Sequence, residues 1–192
     1  MIQATKEFIK ILDDIYGVYL DSTSGFRLWR DEVIKAQNYA SEITGKGIKD
    51  LENVRFRFFN TDPHKPDSHI LHRSTYGQIK RRNEKEGDNY AIIANLCIVL
   101  IFQYWDSHYR KQISEELGLK KENDLKSDIM GDLNKLRNSI IHHQAIALKD
   151  VEKCILLKWF KEGDTIYINS GMLEKVIVHI KEYIIQINQD ST

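Results

Sequence analysis

Residues 131–144 read GDLNKLRNSIIHHQ, and this stretch decides the fold class. Its apolar side chains recur at the three- and four-residue spacing of one helix face: Leu133, Leu136 and Ile140. Asn134, Asn138 and His142 follow one another every four residues, so they form a polar row on the same helix. The stretch therefore predicts an amphipathic helix that packs on a core and carries amides and an imidazole beside its buried face.

Arg137 lies next to this polar row. On an ideal helix Arg137 and His142 are about 140° apart, so their spacing alone does not bring them together. The arginine side chain is long enough to lean toward Asn138 and His142. An arginine, an amide and an imidazole at one helix edge suit an anionic ligand. The alternative at this point is a solvated helix face with incidental polar residues.

The flanking sequence is predominantly helical in its spacing of apolar residues. The expected elements, in chain order, are two helices that form a hairpin before Gly45, a long helix over 89–117, a helix or helix pair over 123–148, a short helix over 151–160, a strand-like turn at 165–168 and a last helix with Ser170 as its N-cap. Residues 51–87 contain both prolines and predict a short extended piece and a long irregular connection.

These elements predict an all-α helical bundle with an N-terminal helical hairpin and a short strand-like turn near the C-terminus. Residues 1–84 would form the hairpin and an irregular basic connection, and residues 85–192 a helical domain. One continuous domain is the alternative division. The length of 192 residues is sufficient for a core that needs neither disulfides nor metal.

The composition excludes several classes of protein. The chain has 28 Lys+Arg and 28 Asp+Glu, which argues against a polybasic tail and against an acidic disordered segment. Cys97 and Cys154 lie far apart in apolar surroundings, as expected for buried thiols in a reducing compartment such as the cytoplasm. The acidic N-terminus does not resemble a signal peptide, and the apolar run 90–105 is shorter than a membrane helix. We therefore expect a cytoplasmic protein with no membrane partner.

A basic segment runs from Arg55 to Lys85, with eight basic and three acidic residues. Its net charge of +5 is balanced by the rest of the chain. Aromatic side chains are interleaved with the charges, as on surfaces that stack bases and neutralise phosphates. The segment predicts RNA binding through Arg73, Lys80, Arg81 and Arg82. The alternative is a core strand followed by a solvated loop.

At Arg137-Asn138-Ser139-Ile140-Ile141-His142 the sequence resembles the higher eukaryote and prokaryote nucleotide-binding (HEPN) domains, whose signature is Arg-x4-6-His on a helix. Gly131-Asp132-Leu133 and the long apolar helix upstream are similar to family members as well. The resemblance extends over about 90–187. It implies a HEPN-type helical bundle with the motif on a late helix, and it does not account for residues 1–84.

Many HEPN proteins are metal-independent RNases, often toxins or defence effectors with an antitoxin or regulatory partner. The resemblance implies that the RNA 2′-hydroxyl attacks the adjacent phosphorus and leaves a 2′,3′-cyclic phosphate. His142 would transfer protons, Arg137 would hold the phosphate, and Asn138 would orient the imidazole or the phosphate. A homodimer would place two motifs across one cleft. No cofactor is implied.

The resemblance leaves some residues open. His143 satisfies Arg-x5-His, although His142 is favoured because it shares a face with Asn138. The subgroup paired with nucleotidyltransferase antitoxins has a tyrosine where this chain has Gln144. Asp106 and Arg110 would add an orienting carboxylate and a phosphate contact, or else form a surface ion pair.

Two other functions and a metal site remain as alternatives. The first is a HEPN-like module that binds nucleotide, RNA or protein without catalysis, and the second is a structural helical protein. His64, His69 and His72 suggest a metal site, but neither a cysteine pair nor a His-Glu-x-x-His pattern accompanies them. We expect no metal.

Overall fold

The computed structural model describes residues 2–190, and the fold is mostly helical, as predicted. The helices are α1 (Gln3–Thr44), α2 (Ile48–Leu51), α3 (Tyr76–Arg82), α4 (Asp88–Tyr104), α5 (Arg110–Glu116), α6 (Asp128–His142) and α7 (Ser170–Asp190). The strands are β1 (Arg55–Phe59) and β2 (Ile70–Thr75). The chain divides into two compact units, Met1–Asp21 with Ala91–Thr192, and Ser22–Tyr90. The sequence had suggested a division near residue 84.

The N-terminal helical hairpin is wrong, because α1 runs unbroken from Gln3 to Thr44. The polar cluster before Gly25 lies inside the helix. A glycine in a helix interior costs only about 1 kcal/mol, and no proline is present to remove a backbone hydrogen bond. Buried side chains on both sides of the cluster, Tyr19 and Val33, offset this cost. The predicted stop is confirmed at Gly45, which adopts φ +66° just after the helix.

The first unit has one apolar core. Side chains from the start of α1 and from α4, α6 and α7 fill it, among them Phe8, Ile98, Leu133 and Ile180. Phe8 stacks at an angle on Trp105, with ring centroids 5.7 Å apart. Cys97 and Cys154 are free and buried, as the sequence predicted.

The predicted long helix is present as α4, a π-helical turn at Trp105–Tyr109 and α5. Together they span Asp88–Glu116, a 29-residue segment long and apolar enough to cross a membrane by length and composition. The helix is longer than the apolar run 90–105 because it continues past Trp105, and a single helix of this kind is weak evidence for a membrane span. Ala94, Ile98 and Ile101 of this segment lie in the core, so the helix is compatible with a soluble protein.

The second unit contains a β-hairpin. Its first strand, β1, is the short extended piece that the sequence predicted, and β2 lies where the sequence predicted an irregular connection. β1 and β2 pair antiparallel, with an irregular register between Phe58 and Phe59. Thr75 then caps α3 through a capping box with Gln78. The prolines at 63 and 66 lie in the turn between the strands, where a missing N–H disrupts no ladder. The residues on either side of this turn form strands.

The segment after α6 also differs from the prediction. Residues 149–153 form a 3-10 turn, and no helix spans 151–160. The strand-like turn near 165–168 is reduced to one bridge, between Ile146 and Thr165. The last helix is present as α7, but its cap is Asn169, whose Oδ1 accepts the N–H of Met172 over 2.9 Å.

Candidate active site

The site begins with α6, which the sequence pattern correctly predicts. Ser127 caps the helix by accepting the N–H of Met130 over 3.4 Å. Ile129, Leu133 and Leu136 on one face are buried. Their burial fixes the rotation of the helix and leaves the polar row at the edge of the core, with Asn138 half-buried and His142 exposed. α6 ends at His142 itself.

Asp132 anchors α6 to the loop that follows it. Its fully buried carboxylate accepts the backbone N–H groups of Ile155, Leu156 and Leu157 over 2.7–2.9 Å. Lys135 Nζ lies 3.2 Å from the same carboxylate. Burial alone would raise the pKa of Asp132, but these hydrogen bonds outweigh burial and hold the pKa below its usual value. Because Asp132 takes three successive amides, the helix predicted at 151–160 cannot form.

Ser139 and the residues after His142 hold the C-terminal end of α6. The buried Ser139 hydroxyl accepts the N–H of Leu148 over 3.1 Å. Gln144 and Ala145 then take φ values of +53° and +61°, a left-handed conformation that is strained for residues other than glycine. Ala145 N–H donates to the carbonyl of Ser139 over 3.2 Å. The chain therefore reverses immediately after His142, which leaves the imidazole at the end of a fixed helix.

Arg137, Asn138 and His142 come together at this end. Arg137 Nη1 donates to Asn138 Oδ1 over 3.0 Å and lies 3.5 Å from His142 Nε2. The arginine does lean across the helix surface, as its length allows. Donation of the Nη1 proton to Nε2 requires that this nitrogen be unprotonated. A guanidinium and an imidazole nitrogen thus face the same small volume.

Arg137 is itself only partly solvated. Its Nε is buried and has no hydrogen-bond acceptor among residues 2–190. A buried donor without an acceptor costs about 1–3 kcal/mol. The remaining guanidinium donors can bind a phosphate oxygen while the imidazole accepts or donates a proton next to it. This arrangement can perform acid–base chemistry on a bound phosphodiester.

His143 does not share this arrangement. It is the C-cap of α6, and its N–H donates to the carbonyl of Ser139 over 3.1 Å. Its exposed ring makes no hydrogen bond with Arg137 within the described part of the chain. The geometry therefore groups Arg137 with His142 in the Arg-x4-His spacing.

Asp106 and Arg110 lie beside another part of α6. Arg110 Nη1 is 3.9 Å from Asp106 Oδ1, and Arg110 Nε donates to the carbonyl of Glu122 over 3.1 Å. Both line a cavity of about 260 Å³ with Asn134. Asn134 is eight residues before His142, roughly 12 Å along the helix. Asp106 makes no hydrogen bond with His142 in the described residues. Asp106 and Arg110 therefore lie beside Asn134, at the other end of the polar row from His142.

The four predicted RNA-binding residues occupy different environments. Arg73 and Arg81 are exposed. Lys80 forms an ion pair with Glu52 and donates to Gln37 Oε1 over 2.7 Å. The guanidinium of Arg82 lies 6.0 Å from the centre of the Phe58 ring. Lys80 is therefore engaged within the second unit, whereas Arg73 and Arg81 face solvent.

The described residues give less support to a metal site or to a cysteine nucleophile. In residues 2–190 no group of three or more His, Cys, Asp or Glu side chains is arranged to hold a metal ion, and this includes the histidines at 64, 69 and 72. Burial raises the pKa of Cys97 to about 11 and that of Cys154 to about 12. Both thiols are therefore protonated at neutral pH and are poor nucleophiles.

The sequence analysis assigned no structural role to Asp132. Its spacing contained the signal, because Asp132 lies three residues after Ile129 and four before Leu136, on the buried face. Ser139 falls on this face as well and is buried. The π-helical turn at Trp105–Tyr109, a feature often found at functional sites, had no sequence signal that we recognise.

No protein-family model, curated protein or solved structure matches this chain.

Proposed function

We propose that this protein is a metal-independent endoribonuclease of the HEPN type, with Arg137, Asn138 and His142 as its site. The observation that carries the proposal is the 3.5 Å approach of Arg137 Nη1 to His142 Nε2, with Asn138 holding the arginine. Because the Asn138 amide already holds the guanidinium, Arg137 loses less conformational entropy when a phosphate binds. The resemblance of Arg-x4-His to HEPN RNases points to RNA as the substrate, and a toxin or defence role is part of that proposal.

The chemistry follows from these side chains. A base removes the proton of the RNA 2′-hydroxyl, whose oxygen attacks the adjacent phosphorus. The bond from phosphorus to the 5′-oxygen breaks, and this leaving oxygen takes a proton from an acid. The products are a 2′,3′-cyclic phosphate and a 5′-hydroxyl. Arg137 stabilises the negative charge that builds on the non-bridging oxygens. Asn138 keeps Arg137 directed at that charge.

Each chain supplies one imidazole to this site, whereas the reaction needs a base and an acid. We propose that a second copy supplies the other His142. An exposed apolar row on α4 supports a homodimer: Ile92, Leu96, Leu100 and Tyr104 recur every four residues and face solvent. Ile141, next to His142, is also exposed. Exposed apolar side chains in such a row favour a protein interface.

A cleavage assay in EDTA tests the function. The wild type is incubated with RNA beside His142→Ala, Arg137→Ala and a matched control, His143→Ala, which removes an adjacent imidazole that does not contact Arg137. We expect the wild type and His143→Ala to cut RNA, and the other two variants to lose at least about 100-fold in rate. Absence of cleavage by the wild type, or equal rates for His142→Ala and the wild type, would contradict the proposal.

The homodimer has a separate test. Leu96→Glu introduces a charge into the apolar row, and Glu174→Gln changes an exposed charge on α7 as a control. We expect sedimentation to give a dimer for the wild type and the control, and a monomer with reduced cleavage for Leu96→Glu. A wild-type monomer that cuts RNA would contradict the shared site.

A non-catalytic RNA- or nucleotide-binding module is the second candidate. The single imidazole in each chain favours it, because without a second copy the site lacks either the base or the acid. This candidate predicts that Arg137→Ala weakens RNA binding while the wild type leaves the RNA intact. The EDTA assay combined with a binding titration separates the two functions.

A further inference from the structure

The β-hairpin presents three arginines on one face. Side chains alternate between the two faces along a strand, and residues that pair across strands share a face. Arg55 and Arg57 are two residues apart on β1, and Arg57 pairs directly with Arg73 on β2. All three side chains are exposed. We call Arg55, Arg57 and Arg73 the arginine face.

The arginine face is electrostatically unfavourable by itself. Like charges directly opposite each other destabilise a pair of strands. No acidic side chain within residues 2–190 forms an ion pair with Arg55, Arg57 or Arg73. Three uncompensated guanidinium groups in a row therefore lower stability, and a bound polyanion would remove this cost.

The aromatic side chains of β1 point to the opposite face. Phe56 and Phe58 pack on Trp29, with ring centroids 5.6 and 6.5 Å away, and Phe56 also packs on Tyr76. Bases that stack on a protein need an exposed ring, and proteins that enter a lipid interface insert one. Phe56 and Phe58 are engaged in packing, so the arginine face offers guanidinium groups without their rings. The sequence-based expectation that these aromatics interleave with the charges on one binding surface is therefore wrong for Phe56 and Phe58.

We propose that the arginine face is an RNA-binding surface that grips the phosphate backbone without reading the bases. Arginine suits this task, because its planar fork of donors matches the phosphate group. The row of charges fits the repeated charges of one RNA strand better than a single anion. This surface goes beyond the proposed nuclease site, and it would bind RNA whether or not Arg137 and His142 cut it.

The neighbouring basic residues make a natural comparison. Lys80 is held by Glu52 and Gln37, and Arg82 lies over the Phe58 ring, so neither is as free as the arginine face. RNA binding should therefore depend on Arg57 and Arg73 more than on Lys80 or Arg82.

The test measures RNA affinity against salt. Every protein carries His142→Ala, so that cleavage does not disturb the titration. Fluorescence anisotropy follows a labelled oligouridine and a single-stranded RNA of mixed sequence. The test variant is Arg57→Gln with Arg73→Gln, and the charge-matched control is Lys120→Gln with Lys175→Gln, two exposed lysines of the first unit. Arg57→Lys with Arg73→Lys keeps the charge.

We expect the glutamine pair to reduce the slope of log affinity against log salt by about 1.4, at roughly 0.7 for each charge removed from a single-strand contact. The two RNAs should show the same change. The control pair should retain the wild-type slope, and the lysine pair should retain the slope with weaker affinity.

Three results would overturn the proposal. The first is an unchanged slope for the glutamine pair, and the second is an equal loss for the control pair. The third comes from vesicles of phosphatidylserine and phosphatidylcholine. If the glutamine pair loses vesicle binding and keeps RNA binding, the face is a membrane surface. Because the titration does not depend on cleavage, a failed nuclease assay and a failed binding surface are separate outcomes.

Discussion

Arg137 Nη1 lies 3.5 Å from His142 Nε2, although an ideal helix sets the two residues about 140° apart. The contact exists because the arginine side chain crosses the helix surface and donates to Asn138 Oδ1 over 3.0 Å. A lysine at this position has the charge but not the planar fork that reaches an amide, an imidazole and a phosphate together. The relationship therefore depends on the shape of the guanidinium as well as on its charge.

Arg137→Lys tests this dependence. We expect kcat for RNA cleavage to fall by about 100-fold with a smaller change in KM, because the lost hydrogen bonds act on charge that develops in the transition state. Thermal unfolding should be little changed. Arg27→Lys on the exposed surface of α1 is the control and should keep full activity. A lysine variant that cuts RNA at the wild-type rate would show that charge alone suffices.

Asp132→Asn tests the anchor between α6 and residues 155–157. Loss of the carboxylate should lower the free energy of unfolding at pH 7 by about 2–4 kcal/mol, because one buried and two part-buried amides lose a charged acceptor. The pKa of Asp132 is lowered in the folded protein. Its stabilisation is therefore complete above the unfolded value of about 3.9, and it disappears as the pH falls through the folded pKa. Urea denaturation at several pH values should show a weaker loss of stability below about pH 4 for the variant.

Ala145→Gly tests the strained reversal after His142. Ala145 has φ +61°, a conformation that glycine adopts without steric cost. We expect the variant to be more stable by about 0.5–1 kcal/mol in urea denaturation, since the relief of strain exceeds the added entropy of the unfolded chain. Ala147→Gly is the control, because φ at that position is not positive, and it should be destabilising. Equal destabilisation by both variants would argue against a left-handed Ala145.

Arg57→Thr tests the like-charge pair in the hairpin. Threonine favours strands and removes the repulsion with Arg73, so the free energy of unfolding should rise by about 0.2–1 kcal/mol. Arg55→Thr is the control, because Arg55 pairs with Thr75 and has no positive charge directly across from it on β2. A gain in stability that is larger for Arg57→Thr than for Arg55→Thr, measured by denaturation, agrees with the structure. A loss of stability would mean that Arg57 contributes to the fold.

Local periodicity predicted the helices well where the sequence has a strong pattern. α6 follows from its leucine spacing, and α7 from its row of isoleucines and valines. The continuous α1 was not predicted, because its polar residues and Gly25 resemble a helix break when their neighbours in space are unknown. The β-hairpin was missed for a related reason: strand pairing joins residues far apart in sequence, and the prolines in its turn dominated the local pattern.

The candidate site was likewise predicted only in part. Helical spacing identified Asn138 and His142 on one row, but only the side-chain geometry brings Arg137 to His142. The partners of Asp132 are amides more than 20 residues away, which no spacing rule reveals. Side chains that act through distant backbone groups are therefore the part that sequence analysis did not predict.

The most direct test of the central claim compares an RNA oligonucleotide with a copy that lacks the 2′-hydroxyl next to the cleaved bond. Both are incubated with the wild type in EDTA, and the products are identified by mass spectrometry. The account predicts that the RNA is cut to a 2′,3′-cyclic phosphate and a 5′-hydroxyl, that the deoxy copy stays intact, and that His142→Ala cuts neither. Cleavage of the deoxy copy at the same rate, or no cleavage of the RNA, would contradict it.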